Sequence, residues 1–421
     1  MSGLVGVLGI VVALAGCWPA PGQGPDRRSH NALESAITPA TVDQLSTKWT
    51  ASADPTGGEV GDPIVSDVAV HFSDGLNLYG INRATGVRLW LKPAGPEGAP
   101  VFMGQPFADG RRLLVGNGFP NLGGHWDTIW VDAATGQTQS SVAGGLVAGL
   151  RGSTVLTDSH GFGTNTPIGK FISLVHLDAP GTGWGGTIDV ASSGSPFAPP
   201  MTLGTARAYQ GGPGTMLPVV SNPTRGNGVR AFPVSPAPAP CPAPATFFLC
   251  PAWSTAIDGS NATSPVLDEG ETTVYVGSNA GTLYALDTAT GAIRWTAAVG
   301  AGVTDSPALA DGRLYVPTAD GDLVVLAAGG CGNATCSPLW TGTTGGPIRV
   351  QPAVAGGVVF TGSADADGTV TAFDAAGCGA ATCDSLWETG TGSAVTGAPA
   401  VSAGRLYVGT EDGFLYAFGL P

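Results

Sequence analysis

The sequence predicts an all-β protein: an eight-bladed β-propeller of four-stranded antiparallel blades, with the ring closed by the N-terminal strand. A phrase of short alternating strands and glycine-containing turns recurs along the 421-residue chain. Tryptophans close most copies of this phrase at a regular spacing, and an all-β period of this length is typical of propellers. The two ends of the chain also complement each other, because a lone Trp strand opens it and three strands without a Trp end it.

The repeat reads as proline, apolar strand, turn, strand, turn and strand, and a fourth strand ending in Trp follows in most copies. The plainest copies are ATSPVLDEGETTVYVGSNAGTLYALD from Ala262, GVTDSPALADGRLYVPTADGDLVVL from Gly302, RVQPAVAGGVVFTGSADADGTVTAFD from Arg349 and AVTGAPAVSAGRLYVGTEDGFLYAF from Ala394. A unit of this size cannot bury both of its faces alone, so we expect neighbouring units to stack.

The closing tryptophans set the unit boundaries, and most successive ones lie 41 to 47 residues apart. They are Trp49, Trp90, Trp184, Trp253, Trp295, Trp340 and Trp387. The units are 50–90, 91–140, 141–184, 185–253, 254–295, 296–340 and 341–387, followed by 388–421 with three strands. We expect the strand at 45–50 to pair with residues 414–418, which completes the last unit and removes an exposed edge.

Small residues in SNAGTLYALDTATGAIRW, residues 278–295, predict where the tryptophans pack. Ala285 and Gly291 leave room for the indole of a neighbouring unit, and Trp295 takes the corresponding place in the next unit. An indole brings roughly 200 Å² of apolar area to such a contact. An aromatic ligand platform is the alternative, but the tryptophan spacing follows the repeat, which favours packing.

Composition and charge narrow the class of protein and partner. Hydrophobic residues make up 43% of the chain, so it folds, and its 67 Gly and 34 Pro belong to turns. The formal net charge is −14 and no basic cluster is present. A nucleic-acid partner is therefore excluded, because phosphate binding needs dense positive charge.

The N-terminus predicts export and lipidation. Residues 1–16 read as a signal peptide and residues 17–44 as a lipid-anchored tether leading into a propeller at 45–421. The apolar stretch Leu4–Ala15 is short for a membrane span, and it leads to Cys17, the position that a bacterial lipobox acylates. No Lys or Arg precedes it, and an uncleaved anchor is the alternative. We expect a monomer on the extracytoplasmic side of the membrane, held there by its lipid alone.

The other six cysteines form three close pairs: Cys241 with Cys250, Cys331 with Cys336, and Cys378 with Cys383. Local pairs in an exported chain predict disulfides. A metal site is the alternative, and it is disfavoured because no His lies near a pair and the spacing is not C-x2-C.

ALDTATGAIRW, residues 285–295, and GINRATGVRLW, residues 80–90, resemble the tryptophan-docking motif A-x-D-x-x-x-G-x-x-x-W of the quinoprotein (PQQ-like) propellers. The second copy has Gly and Asn in place of Ala and Asp. The resemblance extends from Arg28 to Pro421 and implies eight blades. Relatives in this family include alcohol dehydrogenases that use pyrroloquinoline quinone (PQQ) and the propeller lipoprotein of outer-membrane assembly.

The resemblance implies two candidate functions. A PQQ-dependent alcohol or sugar dehydrogenase would hold PQQ with Ca²⁺ and usually a pair of adjacent cysteines. No Cys-Cys pair and no C-x-x-C-H is present, and the family's base and Ca²⁺ ligands cannot be placed on this chain. The sequence therefore favours a non-catalytic binding or scaffolding module at the bacterial cell envelope, without metal or cofactor. Its partner would be an envelope protein or a small ligand.

The residues just ahead of each first strand predict a ligand site where they face one end of the central channel. They are Asp62, Gln105, Asn261, Asp305, Arg349 and Gln351. Solvated turn residues are the alternative. Asp365 and Asp367 in GSADADGT read as turn residues rather than a Ca²⁺ loop, and the five histidines show no metal-ligand spacing.

Overall fold

The structure is a computed structural model, and almost all of its regular elements are strands. It describes residues 18, 21–55, 57–93, 107–109, 111–119, 125–142, 146–151, 154–160, 169–176, 183–189, 201–215, 225–240 and 249–421. Within these ranges the helical elements are two 3-10 turns, Pro21–Gln23 and Val42–Gln44. No helix of the described part is long and apolar enough to cross a membrane. The predicted all-β class is confirmed.

Strands β1 (His30–Asn31) and β2 (Ser46–Ser52) precede the repeats, and the described strands form eight sheets. Sheet 1 contains β3 (Ile64–Val65), β4 (Val70–Ser73), β5 (Asn77–Ile81) and β6 (Arg88–Pro93). Sheet 2 contains β7 (Phe107–Asp109), β8 (Arg112–Phe119), β9 (His125–Asp132) and β10 (Thr138–Val142). Sheet 3 contains β11 (Leu146–Arg151), β12 (Thr154–His160), β13 (Gly169–His176) and β14 (Trp184–Asp189). Sheet 4 contains β15 (Thr202–Leu203), β16 (Arg207–Thr215), β17 (Arg225–Pro233) and β18 (Trp253–Ala256).

The second half repeats the same antiparallel order. Sheet 5 contains β19 (Val266–Leu267), β20 (Thr273–Gly277), β21 (Thr282–Asp287) and β22 (Ile293–Ala298). Sheet 6 contains β23 (Ala308–Ala310), β24 (Arg313–Pro317), β25 (Asp322–Ala327) and β26 (Trp340–Thr343). Sheet 7 contains β27 (Ala353–Ala355), β28 (Val358–Gly362), β29 (Thr369–Asp374) and β30 (Trp387–Gly390), with β1 added in parallel. Sheet 8 contains β31 (Ala400–Ser402), β32 (Arg405–Gly409), β33 (Phe414–Gly419) and β2.

The middle strands of sheet 5 are buried on both faces because this sheet packs between sheets 4 and 6. All five residues of β20 are buried, and so are the four central residues of β21. The fourth strands are more exposed, as in β22, where only Trp295 and Ala297 are buried. The core therefore lies between the sheets, as stacking of the repeats predicts.

Tryptophans link consecutive sheets through the turns that the repeated phrase supplies. The indole of Trp253 lies against Gly291 of sheet 5, where a Cβ would come within 2.5 Å of the ring. Gly291 also has a φ of 75°, a left-handed conformation that favours glycine. The indole Nε1 of Trp253 donates to the Thr288 carbonyl at 2.9 Å. Trp295 occupies the matching place against Gly330 of sheet 6, whereas Ala285 lies opposite Trp295 of its own sheet.

We expect Trp253→Phe to cost about 1 kcal/mol more stability than Trp340→Phe, the net worth of one hydrogen bond. Both indoles are buried. Trp253 donates to Thr288, but the Nε1 of Trp340 has no partner among the described residues. Urea unfolding of both variants and the parent measures the difference. Equal losses would show that the indole hydrogen bond contributes nothing.

The N-terminal strand β2 pairs antiparallel with β33, from Ser46 opposite Gly419 to Ser52 opposite Phe414, with an irregularity between Thr47 and Trp49. The predicted pairing of the two chain ends is therefore present. It places the first described residues of the repeat region beside the last ones.

Two predicted disulfides, Cys331–Cys336 and Cys378–Cys383, are present. Cys250 is also disulfide-bonded, and Cys241 lies outside the described residues. The first of these loops pairs in parallel with β22, since the Thr296 N–H donates to Ala334 and the Cys336 N–H donates back to Thr296. The second loop pairs with β26 in the same way, at Thr341. Each disulfide loop thus covers the outer edge of the preceding sheet.

The first strands of neighbouring sheets lie side by side. Contacts join β3 to β7, β7 to β11, β11 to β15, β23 to β27, β27 to β31, and β31 back to β3. Hydrogen bonds connect the remaining neighbours, from the Thr202 hydroxyl to Pro265 and from the Ser306 hydroxyl to Ser264. The candidate site lies where these first strands come together, a region named here the axis.

Candidate functional site at the central axis

Residues 21–34, named here the N-terminal plug, cross one end of this axis. Four plug carbonyls accept hydrogen bonds from main-chain N–H groups of four first strands. The donor and acceptor pairs are Leu203 with Pro25, Leu267 with Asp26, Leu309 with Arg28, and Val354 with Ser29, at 2.8–3.2 Å. Each donor is the second residue of its strand. The plug therefore meets sheets 4 to 7 in order, at equivalent positions.

The plug also reaches sheet 8, and the residue Trp18 ahead of it reaches sheet 1. The amide of Asn31 donates to the Val401 carbonyl at 2.9 Å, and Glu34 accepts from the Gly404 N–H at 2.9 Å. Just ahead of the plug, Trp18 is buried and exchanges two main-chain hydrogen bonds with Val65 of β3. These contacts pair strand edges that would otherwise have no partner. Where the structure describes the predicted tether 17–44, the segment is packed against the sheets.

The guanidinium of Arg27, a plug residue, lies in the axis near two of the predicted site residues. Arg27 is buried, and it interacts electrostatically with Asp305 and Asp62, which precede β23 and β3. Burial lowers the pKa of Arg27, and the two carboxylates oppose that shift. No hydrogen-bond partner for its Nε is found among the described residues. A buried guanidinium thus lies near two carboxylates of different sheets.

Both carboxylates are half-buried and difficult to ionise. Burial raises the pKa of Asp305 to about 6, and the negative charge of Asp62 adds to the effect. The Ser306 N–H and the charge of Arg27 act in the opposite direction and offset only part of this rise in the pKa of Asp305. Burial likewise raises the pKa of Asp62, although that carboxylate accepts the Ala398 N–H at 2.8 Å. This end of the axis therefore holds two carboxylates, whose ionisation is opposed by burial, and one guanidinium.

Gln351 links the plug to the chain ahead of β23 through two hydrogen bonds. Its amide Nε2 donates to the Arg27 carbonyl at 2.7 Å and to the Pro307 carbonyl at 3.0 Å, and the residue is buried. Gly22 approaches the same side chain so closely that a Cβ there would lie 2.9 Å from the Gln351 Oε1. Both hydrogen bonds donated by the Gln351 amide therefore go to main-chain carbonyls.

The structure brings three of the predicted site residues together, Asp62, Asp305 and Gln351, around Arg27. Asn261 is exposed and its main chain pairs with Asn279 of the adjacent hairpin, and Arg349 is exposed. Gln105 lies outside the described residues. Ligand binding by any of the six stays a prediction. Arg27 was missed, and the signal for it is PDRRSH, residues 25–30, two adjacent arginines in an acidic chain.

One buried Ser–His contact has no access for a substrate. The Ser66 hydroxyl lies 2.9 Å from the Nε2 of His71, which stacks on Trp90. Ser66 and His71 are 1% and 0% exposed, and burial lowers the pKa of His71 to about 3. The pair is a packing element of sheet 1.

The described axis residues do not fit PQQ with Ca²⁺. PQQ is a planar tricarboxylate, and cationic or hydrogen-bond donors must hold its three negative groups. The axis offers two carboxylates, one guanidinium shared between them, and an amide already donating to the main chain. Among the described residues, no three His, Cys, Asp or Glu side chains cluster closely enough to hold a metal ion.

The acidic hairpin of sheet 7 is a turn. Asp365 accepts the Gly368 N–H at 3.0 Å and the Ser363 hydroxyl at 2.6 Å. A carboxylate that caps its own turn in this way needs no ion. This agrees with the interpretation of GSADADGT as turn chemistry.

Known proteins resemble this chain in repeat sequence and in fold. The family model described as outer membrane protein assembly factor BamB matches residues 251–330 and 331–419. No curated protein sequence matches the chain. A quinohemoprotein alcohol dehydrogenase from Comamonas testosteroni has a similar structure, with a TM-score of 0.65 and 15% identity over 96% of this chain and 82% of that one.

Two further solved structures share the fold. A europium-containing methanol dehydrogenase gives a TM-score of 0.63 at 14% identity, covering 96% of this chain and 98% of that one. BamB from Moraxella catarrhalis gives 0.56 at 16% identity, covering 89% of this chain and 98% of that one. Identities this low show the fold alone, and the fold hosts both enzymes and assembly factors. The sequence match covers residues 251–419, and over this part the chain resembles the PQQ-like β-propeller repeats.

Proposed function

We propose that this chain is an exported, lipid-anchored propeller that acts as a non-catalytic binding or scaffolding module at the bacterial cell envelope. The observation that carries the proposal is the N-terminal plug. One end of the axis is occupied by the chain's own residues, which take up the main-chain donors of β15, β19, β23 and β27. The description of the matching family as an assembly factor agrees with this role.

Closure of the propeller is part of the same proposal. The eight sheets would be the blades of a single ring, closed by β2 in the last blade. The pairing of β2 with β33 and the contact of β31 with β3 support it. A closed ring gives a rigid disc with variable loops, which suits a binding platform.

The alternative is a PQQ-dependent alcohol or sugar dehydrogenase. Its support is the likeness to two dehydrogenase structures, which extends to the fold alone. The axis residues favour the binding module, because two carboxylates that share one guanidinium offer no free cationic group to a tricarboxylate cofactor.

One experiment separates the two functions. The purified chain is titrated with PQQ and Ca²⁺ while its absorbance is followed, and dye-linked oxidation of alcohols and sugars is then assayed. We expect no stoichiometric quinone binding and no oxidation. Chemical cross-linking in intact cells is expected to yield one defined complex with an envelope polypeptide. Stoichiometric PQQ binding, together with a dye-linked dehydrogenase activity that Asp305→Asn abolishes, would establish the enzyme instead.

A further inference from the structure

A groove of about 910 Å³ lies between sheets 5 and 6, on the side where the plug crosses them. Arg28 and His30 of the plug form one part of its wall, and the hairpin 268–273 of sheet 5 forms another. The hairpin 310–312 and the loop 328–334, which includes Cys331, complete it from sheet 6. Its volume lies within the range of ligand sites, roughly 300–1,000 Å³. None of the six sequence-predicted site residues lines it.

The basic side chains of the groove already have carboxylate partners. The Nε of Arg28 lies 2.7 Å from Asp26, and Arg294 lies 2.8 Å from Asp287. Neither Asp26 nor Asp287 belongs to the lining. The positive charges that face the groove are therefore compensated from outside it.

Two acidic side chains of the groove lack such compensation. Glu269 has a side chain 91% exposed, and its one ion pair, with Arg28, is long at 3.9 Å. Asp311 is exposed at the tip of the facing hairpin. Within the described residues, neither carboxylate is recorded in a hydrogen bond. By contrast, Asp268 accepts the N–H groups of Thr272 and Thr273 and so holds its own hairpin in shape.

His30 adds no positive charge between these carboxylates near neutral pH. Burial lowers its pKa, and Arg28 lowers it further, while Asp311 and Glu269 act in the opposite direction. The groove is thus negative, with one uncompensated carboxylate on each of two facing hairpins.

We propose that this groove binds a basic polypeptide segment, whose Lys or Arg side chains reach Glu269 and Asp311. The proposal rests on the binding function proposed above and names the class of its partner. Charge-assisted bonds to carboxylates are the strongest that such side chains make. The glycine-rich loop provides room for a polypeptide backbone, since no atom lies within 4 Å of a Cβ placed at Gly329 or Gly332. The net charge of −14 would attract the same partner at long range.

The test uses the full chain and two labelled peptides in fluorescence anisotropy at 150 mM salt. One 12-residue peptide carries four lysines separated by glycine and serine, and the other has glutamine at those four positions. We expect the lysine peptide alone to bind. The double variant Glu269→Gln, Asp311→Asn should weaken its binding at least tenfold.

The matched control is Asp384→Asn with Glu388→Gln, which changes the same two residue types at exposed positions on sheet 7. It alters the net charge by the same amount and should change the Kd less than twofold. Hydrogen exchange should show protection by the lysine peptide at residues 311–312 and 329–334. Equal weakening by both double variants would overturn the proposal, because it would mean attraction by overall charge.

Two other results would also contradict binding of a basic segment in this groove. Protection elsewhere on the chain would place the basic segment at another site, and equal binding of both peptides would remove the need for charge. Both results leave the proposed binding function standing, since that function is judged by quinone titration and cross-linking. Stoichiometric PQQ binding with oxidation would overturn the proposed function whatever the peptides do.

Discussion

Removal of residues 46–52 should lower the free energy of unfolding by at least about 4 kcal/mol. Strand β2 forms six residue pairs with β33, and each such pair contributes roughly 0.2–1 kcal/mol. The deletion also removes Trp49, whose indole lies against Gly86 and donates to the Arg83 carbonyl at 3.1 Å. Loss of a buried tryptophan costs about 3–5 kcal/mol. Sheet 8 would be left with an open edge beside sheet 1.

Urea unfolding, followed by tryptophan fluorescence, measures this loss. The control is Lys48→Ala, an exposed position on the same strand, which should change stability by about 0.5 kcal/mol or less. If the deletion variant does not fold, Trp49→Ala provides a graded loss of about 3–5 kcal/mol. A peptide of residues 45–53 added to the deletion variant should restore part of the stability. An unchanged unfolding midpoint would contradict closure by this strand.

Asp305→Asn should stabilise the protein at pH 8, by at most about 3 kcal/mol, and should have almost no effect at pH 4. Burial raises the pKa of Asp305 in the folded chain from 3.8 to about 6. Between these two values the folded state binds more protons than the unfolded state, so this residue's contribution to stability falls as the pH rises from 4 to above 6. Each unit of pKa corresponds to about 1.36 kcal/mol. Asparagine removes this cost because it never ionises.

The measurement is the difference in unfolding free energy between the variant and the parent at pH 4, 6 and 8. Asp287→Asn is the control of opposite sign. The Arg294 guanidinium, with help from Thr290, lowers the pKa of the Asp287 carboxyl to about 2. Its contribution is therefore present at neutral pH and is lost as the pH falls through about 2, so its replacement should give no stabilisation at pH 8. A pH-independent difference for Asp305→Asn would contradict the buried carboxylate at the axis.

Features that recur in the repeat could be predicted from the sequence because they depend on local pattern. Trp253 and Gly291 belong to adjacent copies of one phrase, so spacing alone places the indole on the turn. The disulfides Cys331–Cys336 and Cys378–Cys383 close loops of a few residues, and proximity along the chain decides their pairing. The pairing of β2 with β33 followed from counting strands, since one end lacked what the other had in excess.

The candidate site was predicted only in part. Position ahead of a first strand selected Asp62, Asp305 and Gln351, which the structure places near Arg27. The same rule placed Asn261 and Arg349 with them, although both are exposed. The three residues near Arg27 stand two or three positions ahead of a first strand, whereas Arg349 and Asn261 stand four and five positions ahead of theirs.

The sequence by itself determined the four-stranded repeat, the tryptophan contacts and the pairing of the chain ends, since each has a periodic or complementary signature. Only the tertiary structure decided where residues 21–34 lie. The plug is not a repeat, and its contacts join residues such as Arg27 and Gln351, which lie 324 positions apart. The same folding sets Arg28 and His30 against sheets 5 and 6 to form the groove. No periodicity encodes such contacts, because they arise only when several sheets come together and leave first-strand N–H groups in need of acceptors.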